Sequence, residues 1–327
     1  MRVFINGFGR IGRSVLRAWA QAPHHWPGLE VAGINDIAAP EMCAYLFEYD
    51  SVFGPWRGSV ALEGGALVVD GRAIPLHRTP DLAALPLAGV DVVMECTGRA
   101  DKREVAEQGL LAGAGRVLVS GPSAAADLTL VLGANDAELA RQRIVSNASC
   151  TTNALAPLAR LIHDQWGVVT GSMTTIHCYT GSQPTVDAPA ADYPRSRAAA
   201  LSMVPTTTSA QRLLDRVLPQ IAGRIEGSAV RVPTASVSAV DLAVMTERRS
   251  TAAAVNDAFR AAGGVIGATD RPLVSTDLRA RPESIVMATA ETRVTAGGML
   301  RVFGWYDNEW GFSNRMLDVA LRMGQAA

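Results

Sequence analysis

Lysine is almost missing from this chain. Of its 30 basic side chains all but Lys102 are arginine, and 31 acidic residues bring the formal net charge to −1. With no basic block, the chain argues against nucleic acid as its main partner. Cysteine is scarce as well: four in 327 residues, at positions 43, 96, 150 and 178. That count excludes a disulfide scaffold, and the spacing leaves no CxxC pair and no clustered ligand set for a metal. No apolar run approaches the roughly 18 residues of a membrane span. The opening MRVFINGFGR enters a strand directly, without the charged and apolar regions of a signal peptide. The expectation is a cytoplasmic protein, with no membrane partner and no metal.

What is present is apolar material: 48% hydrophobic residues against 19% charged, enough for a sizeable core. The length suits two domains. Through residue 149, short apolar runs (3–6, 29–34, 90–96, 116–120, and the LTLVLG stretch) alternate with helical stretches at 14–21, 42–49 and 103–114. Paired glycine turns over 59–77 suggest hairpins. Strands alternating with helices imply an α/β fold with a parallel sheet covered on both faces. After 150 the pattern changes. A helix over 151–166 is followed by a long strand over 168–179, an aperiodic loop over 181–200, a helix over 211–221, and strands at 229–232, 236–245, 284–289, 292–295 and 300–305 without a helix between each pair. That predicts a mixed or antiparallel sheet in an α+β second domain over 150–311. The helical segment at 312–327 joins the first domain, 1–149.

Residues 7–12 read GFGRIG: Gly7, Gly9 and Gly12 follow a strand and open a helix, and Asp36 follows the next strand. A lone GxGxxG also occurs as a plain turn, and Asp36 could be a helix cap, but this context is that of a dinucleotide-binding unit. Small residues let the backbone approach a pyrophosphate at the helix N-terminus. A carboxylate at 36 suits the adenosine ribose hydroxyls and repels a 2′-phosphate, favouring NAD over NADP.

SNASCTTN at 146–153 places Ser149 as an N-cap and Cys150 in a first helical turn, where the helix dipole lowers a thiol pKa. His177 lies on the long strand, its side chain alternating with that of Cys178, which is expected to point into the core. A lone strand histidine is ordinarily structural; it becomes a base only if the fold brings it to Cys150. Cys43 and Cys96 read as packing residues, Cys96 at a strand end near the cofactor. Arg195, Arg197, Arg231 and the run Thr206–Thr207–Thr208–Ser209 suit phosphate together. Singly, each arginine reads as a surface ion pair and the threonine run as a helix cap.

With INGFGRIGR at 5–13, IND at 34–36, SNASCTTN at 146–153, TTIH at 174–177, RVPT at 231–234 and WYDNEWGFSNR at 305–315, the chain resembles the phosphorylating glyceraldehyde-3-phosphate dehydrogenase family over nearly its whole length. The resemblance implies a Rossmann NAD-binding domain, a catalytic domain, and a homotetramer. In that tetramer the loop near 180–201 approaches a neighbouring subunit's cofactor. It implies Cys150 as nucleophile and His177 as base. Around NAD it implies Arg10, Ile11, Asp36, Arg78, Thr97 and Ser120, with Asn314 on the nicotinamide carboxamide. Thr180 and Arg231 match the pocket for the phosphate of a small aldehyde substrate. Ser149, beside Thr151, and Thr208 match the pocket for attacking inorganic phosphate, and Arg195 lies near both. Ser209 replaces a glycine of that second pocket. Trp310 and Phe312 are similar to the erythrose-4-phosphate branch, although Thr180 is retained. The PTTT run is shared with copies that use arsenate as acceptor. A non-catalytic regulatory paralogue would not need the matched set Cys150, His177, Arg231 and Asn314.

Overall fold

The computed structural model describes residues 1–190 and 192–326. The chain divides into two compact units. Unit 1 comprises Met1–Leu130, Asp136–Ala148 and the segment from Ser313 onward; unit 2 comprises Val131–Asn135 and Ser149–Phe312. The five residues 131–135 group with unit 2 for a local reason. The Asn135 side chain caps the Val131 amide at 2.9 Å, Arg160 donates to the Ala134 carbonyl, and Gly133 packs on Pro157.

Unit 1 begins with β1 (Arg2–Asn6), α1 (Arg10–Gln21), β2 (Glu30–Asn35) and α2 (Pro40–Glu48). A meander follows, β3 (Val60–Glu63), β4 (Ala66–Val69) and β5 (Arg72–His77), and then β6 (Val92–Glu95), α3 (Arg103–Ala106), α4 (Gln108–Leu111), β7 (Arg116–Val119), β8 (Leu128–Thr129) and β9 (Ile144–Ser146). Among the described residues these strands form one nine-stranded sheet in the order β3-β4-β5-β2-β1-β6-β7-β9-β8. It is parallel from β5 to β8 and antiparallel only in the meander. Its central strands are apolar on both faces because helices cover both. Val92, Val93, Met94 and Leu118 are fully enclosed.

Unit 2 holds α5 (Cys150–Trp166), β10 (Val168–Cys178), β11 (Val204–Thr206), α6 (Ala210–Val217), β12 (Ile225–Val232), β13 (Ser238–Thr246), α7 (Ala252–Ala262), β14 (Ile266–Thr269), β15 (Ile285–Ala288), β16 (Arg293–Val294) and β17 (Leu300–Tyr306). The sheet runs β11-β12-β10-β13-β17-β15-β14, with β16 paired to β17. It is mixed: β10 pairs parallel with β12 and antiparallel with β13. The chain then re-enters unit 1 through α8 (Trp310–Gln325).

Sequence reading and structure differ at a few elements. The helix expected over 103–114 is two short pieces. The strand expected at LTLVLG stops at Thr129, because the Asn135 cap bends residues 131–135 into a turn. Helix α7 and strands β11 and β14 went unread.

Candidate active site

In unit 1 the cradle is made by backbone. Gly7 has φ +91°, and a Cβ there would lie 2.7 Å from the Cys96 carbonyl carbon and the Thr97 amide. A Cβ at Gly12 would lie 2.1 Å from the Gly7 carbonyl oxygen. Both positions therefore admit glycine alone. Gly9, the N-cap of α1, is different: a Cβ there would meet nothing within 4 Å. The start of α1, the positive end of its dipole, accordingly faces open space. Beside it lies a cavity of about 470 Å³ whose wall includes Gly7, Gly9, Asp36, Thr79, Thr97 and Arg99. Asp36 is held in place by amides: Phe8 N–H donates to Oδ2 at 2.6 Å and Ala38 N–H to Oδ1 at 2.8 Å. A turn that has no room for a Cβ at Gly7 and Gly12, an open helix start and a fixed carboxylate together fit a dinucleotide.

The other unit 1 candidates fall out less evenly. Arg10 forms an ion pair with Asp50 at 2.5 Å, so its guanidinium is engaged. Burial pushes the Asp50 carboxyl up, but the Phe53 and Val52 amides and Arg10 outweigh it and leave it below the usual carboxylate range. Ile11 follows in the first turn of α1. Arg78 donates to the Ile37 carbonyl at 3.1 Å, at the exposed rim. The Ser120 amide donates to the Glu95 carbonyl at 2.9 Å. Asn314 is buried in the first turns of α8.

In unit 2 the chemistry is made by side chains. Ala148 holds φ +54°, a left-handed conformation uncommon for alanine, just before α5 starts. Ser149 then caps the helix, its Oγ accepting from Thr152 N–H at 3.1 Å. Cys150 is thereby fixed in the first turn. Its Sγ lies 3.5 Å from His177 Nε2, and His177 Nδ1 lies 2.7 Å from the Cys178 carbonyl oxygen. A carbonyl only accepts, so Nδ1 carries the hydrogen and Nε2 turns its lone pair to the sulfur.

The electrostatics refine the sequence expectation. Loss of water around the sulfur raises the Cys150 pKa, against the amides of Thr151 and Cys150, the Thr151 hydroxyl and Arg231, which lower it. Burial, then Arg231, drives the His177 pKa down to about 4. Each group alone resists charge. Moving the proton from Sγ to Nε2 creates opposite charges 3.5 Å apart, with helix amides on the anion. The activated form is therefore the pair, and the dipole alone does not make it. By contrast, burial pushes Cys43 up to about 11 and Cys178 to about 12, which keeps both as protonated packing thiols.

Around this pair, Arg231 Nη1 donates to Thr180 Oγ1 at 3.0 Å and to the Cys178 carbonyl at 3.2 Å. Pairing of β11 with β12 sets Val204 opposite Arg231 and carries the following loop alongside. Arg195 Nε donates to Thr206 Oγ1 at 2.6 Å and Nη2 to the Thr207 carbonyl at 3.2 Å, and its charge is felt by Arg231. Thr208 Oγ1 accepts from Ala210 N–H at 3.1 Å, while the Ser209 hydroxyl makes no cap bond at the start of α6. Thr151 Oγ1 is buried and lies 2.8 Å from Tyr306 Oη, where it braces the helix start beside Cys150. Tyr306, missed in the sequence, also meets Thr175 Oγ1 at 2.7 Å and packs edge-on to the His177 ring.

Residues 1–103 match the family model described as glyceraldehyde 3-phosphate dehydrogenase, NAD binding domain, and residues 149–308 match its C-terminal domain. The chain is 46% identical to the glyceraldehyde-3-phosphate dehydrogenase of Xanthobacter flavus and 47% identical to that of Cereibacter sphaeroides, covering 99% of each chain in both cases. It is 43% identical to that of Geobacillus stearothermophilus over 98% of this chain and 97% of the relative. A glycine cradle matched to an NAD-binding model and a cysteine–histidine pair inside the matched C-terminal domain lead to one conclusion: the chain belongs to the glyceraldehyde-3-phosphate dehydrogenase family.

Proposed function

We propose that this chain is an NAD-dependent, phosphorylating aldehyde dehydrogenase. It oxidises glyceraldehyde 3-phosphate to 1,3-bisphosphoglycerate through a thioester on Cys150. The observation that carries the reading is the Cys150 Sγ to His177 Nε2 contact of 3.5 Å, with Nδ1 anchored on a carbonyl. Sulfur adds to the aldehyde carbon as Nε2 takes its proton. The amide of Cys150 would help stabilise the tetrahedral oxyanion. When bound, NAD supplies the hydride acceptor for the oxidation, held by the Gly7–Gly12 turn, Asp36 and Asn314. Arg231 with Thr180 takes the substrate's own phosphate. Thr208, Ser209 and Ser149 take inorganic phosphate, with Arg195 between the two sites. Phosphate oxygen displaces the thiolate from the acyl carbon, giving the acyl phosphate and restoring Cys150.

The same reading makes the protein a homotetramer of the cytoplasm. Val186, Tyr193 and Leu201, in the loop that would approach a neighbour, and Met203 just after it, are 72%, 90%, 84% and 74% exposed. Large apolar side chains so exposed in one segment suit a covered surface. The four free thiols suit a reducing compartment. NADH formation tests the whole reading, with glyceraldehyde 3-phosphate or erythrose 4-phosphate, each with phosphate, with arsenate, or with neither. The expected result is fastest turnover on the triose with phosphate present. Faster turnover on the tetrose moves the chain to the erythrose branch, turnover confined to arsenate makes arsenate its acceptor, and none at all refutes the catalytic reading.

A further inference from the structure

Three buried polar residues stand in one row across unit 1. Asn6 ends β1, Asn35 ends β2 and Glu95 ends β6, and β1 lies between the other two. Asn6 is in register with Asn35 on one side and with Glu95 on the other. They are 7%, 4% and 2% exposed. The doubly covered strands of a parallel sheet are ordinarily apolar, and a buried carboxylate on one is costly unless its bonds are complete.

The bonds form a relay with a fixed direction. Thr79 N–H donates to Asn35 Oδ1 at 3.0 Å, and Asn35 Nδ2 donates back to the Thr79 carbonyl at 3.0 Å. A backbone donor and a backbone acceptor thus fix which way the Asn35 amide points. Asn35 Nδ2 also donates to Asn6 Oδ1 at 2.8 Å, which leaves Asn6 Nδ2 facing Glu95 Oε2 at 2.5 Å. On the far side, Glu95 Oε1 accepts from Thr97 N–H at 2.9 Å and from the Thr97 hydroxyl. Residue 95 must therefore accept at both oxygens. An ionised carboxylate can do so, and a glutamine would set Nε2 against Asn6 Nδ2.

Thr79 and Thr97, the ends of the relay, both line the cavity beside the Gly7 turn, as do Asn6 and Asn35. Their loops follow β5 and β6, three strand spacings apart in the sheet, about 14 Å. Glu95 itself lies behind the wall. We propose that Glu95 is a positioning residue for the cofactor: through the Asn6–Asn35 relay it fixes the spacing of two cavity walls and so sets affinity for the adenosine half of NAD. The proposal rests on NAD occupying this cavity.

The test uses the full chain and three variants: Glu95→Gln, Asn6→Asp, and the two combined. Glu95→Gln opposes two donors, and Asn6→Asp opposes two carboxylates. In the double variant the new carboxylate at position 6 accepts both from the new amide at position 95 and from Asn35, and every bond is restored with the same net charge. Titration calorimetry should show Kd for NAD raised about tenfold or more in each single variant and within about threefold of the parent chain in the double. AMP, carrying the adenosine half alone, should follow the same order. KM for NAD should rise with Kd while KM for the aldehyde stays put. A parent-like Kd in Glu95→Gln, or a double variant no tighter than the singles, overturns the proposal. If a single variant fails to fold, the double variant decides: near-parent Kd supports the relay, and weak binding or failure to fold overturns it. If the parent chain itself does not bind NAD, the cofactor reading falls along with the proposal.

Discussion

The two units build their sites from different materials. In unit 1 the cradle is backbone: two positions where a Cβ has no room, an open helix start, and a carboxylate held by amides. In unit 2 the proposed reacting atoms sit on two side chains from separate elements, Cys150 in the first turn of α5 and His177 near the end of β10. Binding a long ligand asks for shape, which backbone supplies rigidly. Bond-making asks for a nucleophile and a base at one spot, which only side chains supply. Substitutions should therefore separate cleanly. Changes in unit 2 should remove turnover and spare affinity, and changes in unit 1 should do the reverse.

The hardest blow to that contrast comes at the sulfur. Cys150→Ser should lower kcat by at least about a thousandfold, because an alcohol lacks both the acidity and the nucleophilicity of a thiol. NAD binding by calorimetry should be unchanged. A preserved burst of NADH in this variant would remove Cys150 from the chemistry and leave the two units without a division of labour.

His177→Asn should cost about a hundred- to ten-thousandfold in kcat, the usual range for a lost general base. It also has a signature in pH. On the proposed mechanism the thiolate of the parent chain forms with an imidazolium 3.5 Å away. Without the ring it must form alone in surroundings that raise its pKa. The midpoint for alkylation of Cys150 by iodoacetamide should therefore move to higher pH in the variant. An unmoved midpoint would mean that helix amides and Arg231 activate the sulfur unaided.

That pair was half legible from the residues. Ser149 before a helical run is a local signal for a cap, and it placed Cys150 correctly in a first turn. A strand histidine carries no such signal. What joins His177 to Cys150 is the run of β10 back along α5, 27 positions later. Tyr306 was out of reach because its partners Thr151 and Thr175 lie 155 and 131 positions away. The Asn6–Glu95 relay was hidden similarly: each member is one polar residue at a strand end, and only the parallel register makes them neighbours. The NAD-type turn was the most visible feature, since its glycines answer purely local demands on φ and space. Helix α7 had its signals, Thr251 as a cap and Gly263 beyond its end, but its buried stripe consists of Val255 and Phe259 alone, set among alanines.

On the unit 1 side, Gly12→Ala should raise Kd for NAD at least about tenfold. The new Cβ would stand 2.1 Å from the Gly7 carbonyl, so the turn must open. kcat at saturating NAD should fall far less than in His177→Asn. Asp36→Gly is milder and tests selectivity. Removing the carboxylate removes the repulsion of a 2′-phosphate but also the acceptor for the Phe8 and Ala38 amides. The ratio of kcat/KM for NAD over NADP should drop about tenfold or more, with KM for NAD rising. Equal use of both cofactors by the parent chain would dismiss Asp36 as a selectivity residue.

The smallest effect sharpens the comparison most, because it asks whether unit 2 also relies on scaffolding. Tyr306→Phe keeps the ring beside His177 and removes one hydroxyl, whose two bonds tie the first turn of α5 to β10. Thr151 and Thr175 can still turn their hydroxyls to other acceptors, so the loss is that of ordinary neutral bonds, about 1 kcal/mol of stability. kcat should fall less than about tenfold, because Ser149 still caps the helix and the Cys178 carbonyl still orients the imidazole. A loss as large as that of His177→Asn would mean that the 3.5 Å contact is held by the phenol. The catalytic pair would then depend on a buried hydrogen-bond network as much as the cradle of unit 1 does.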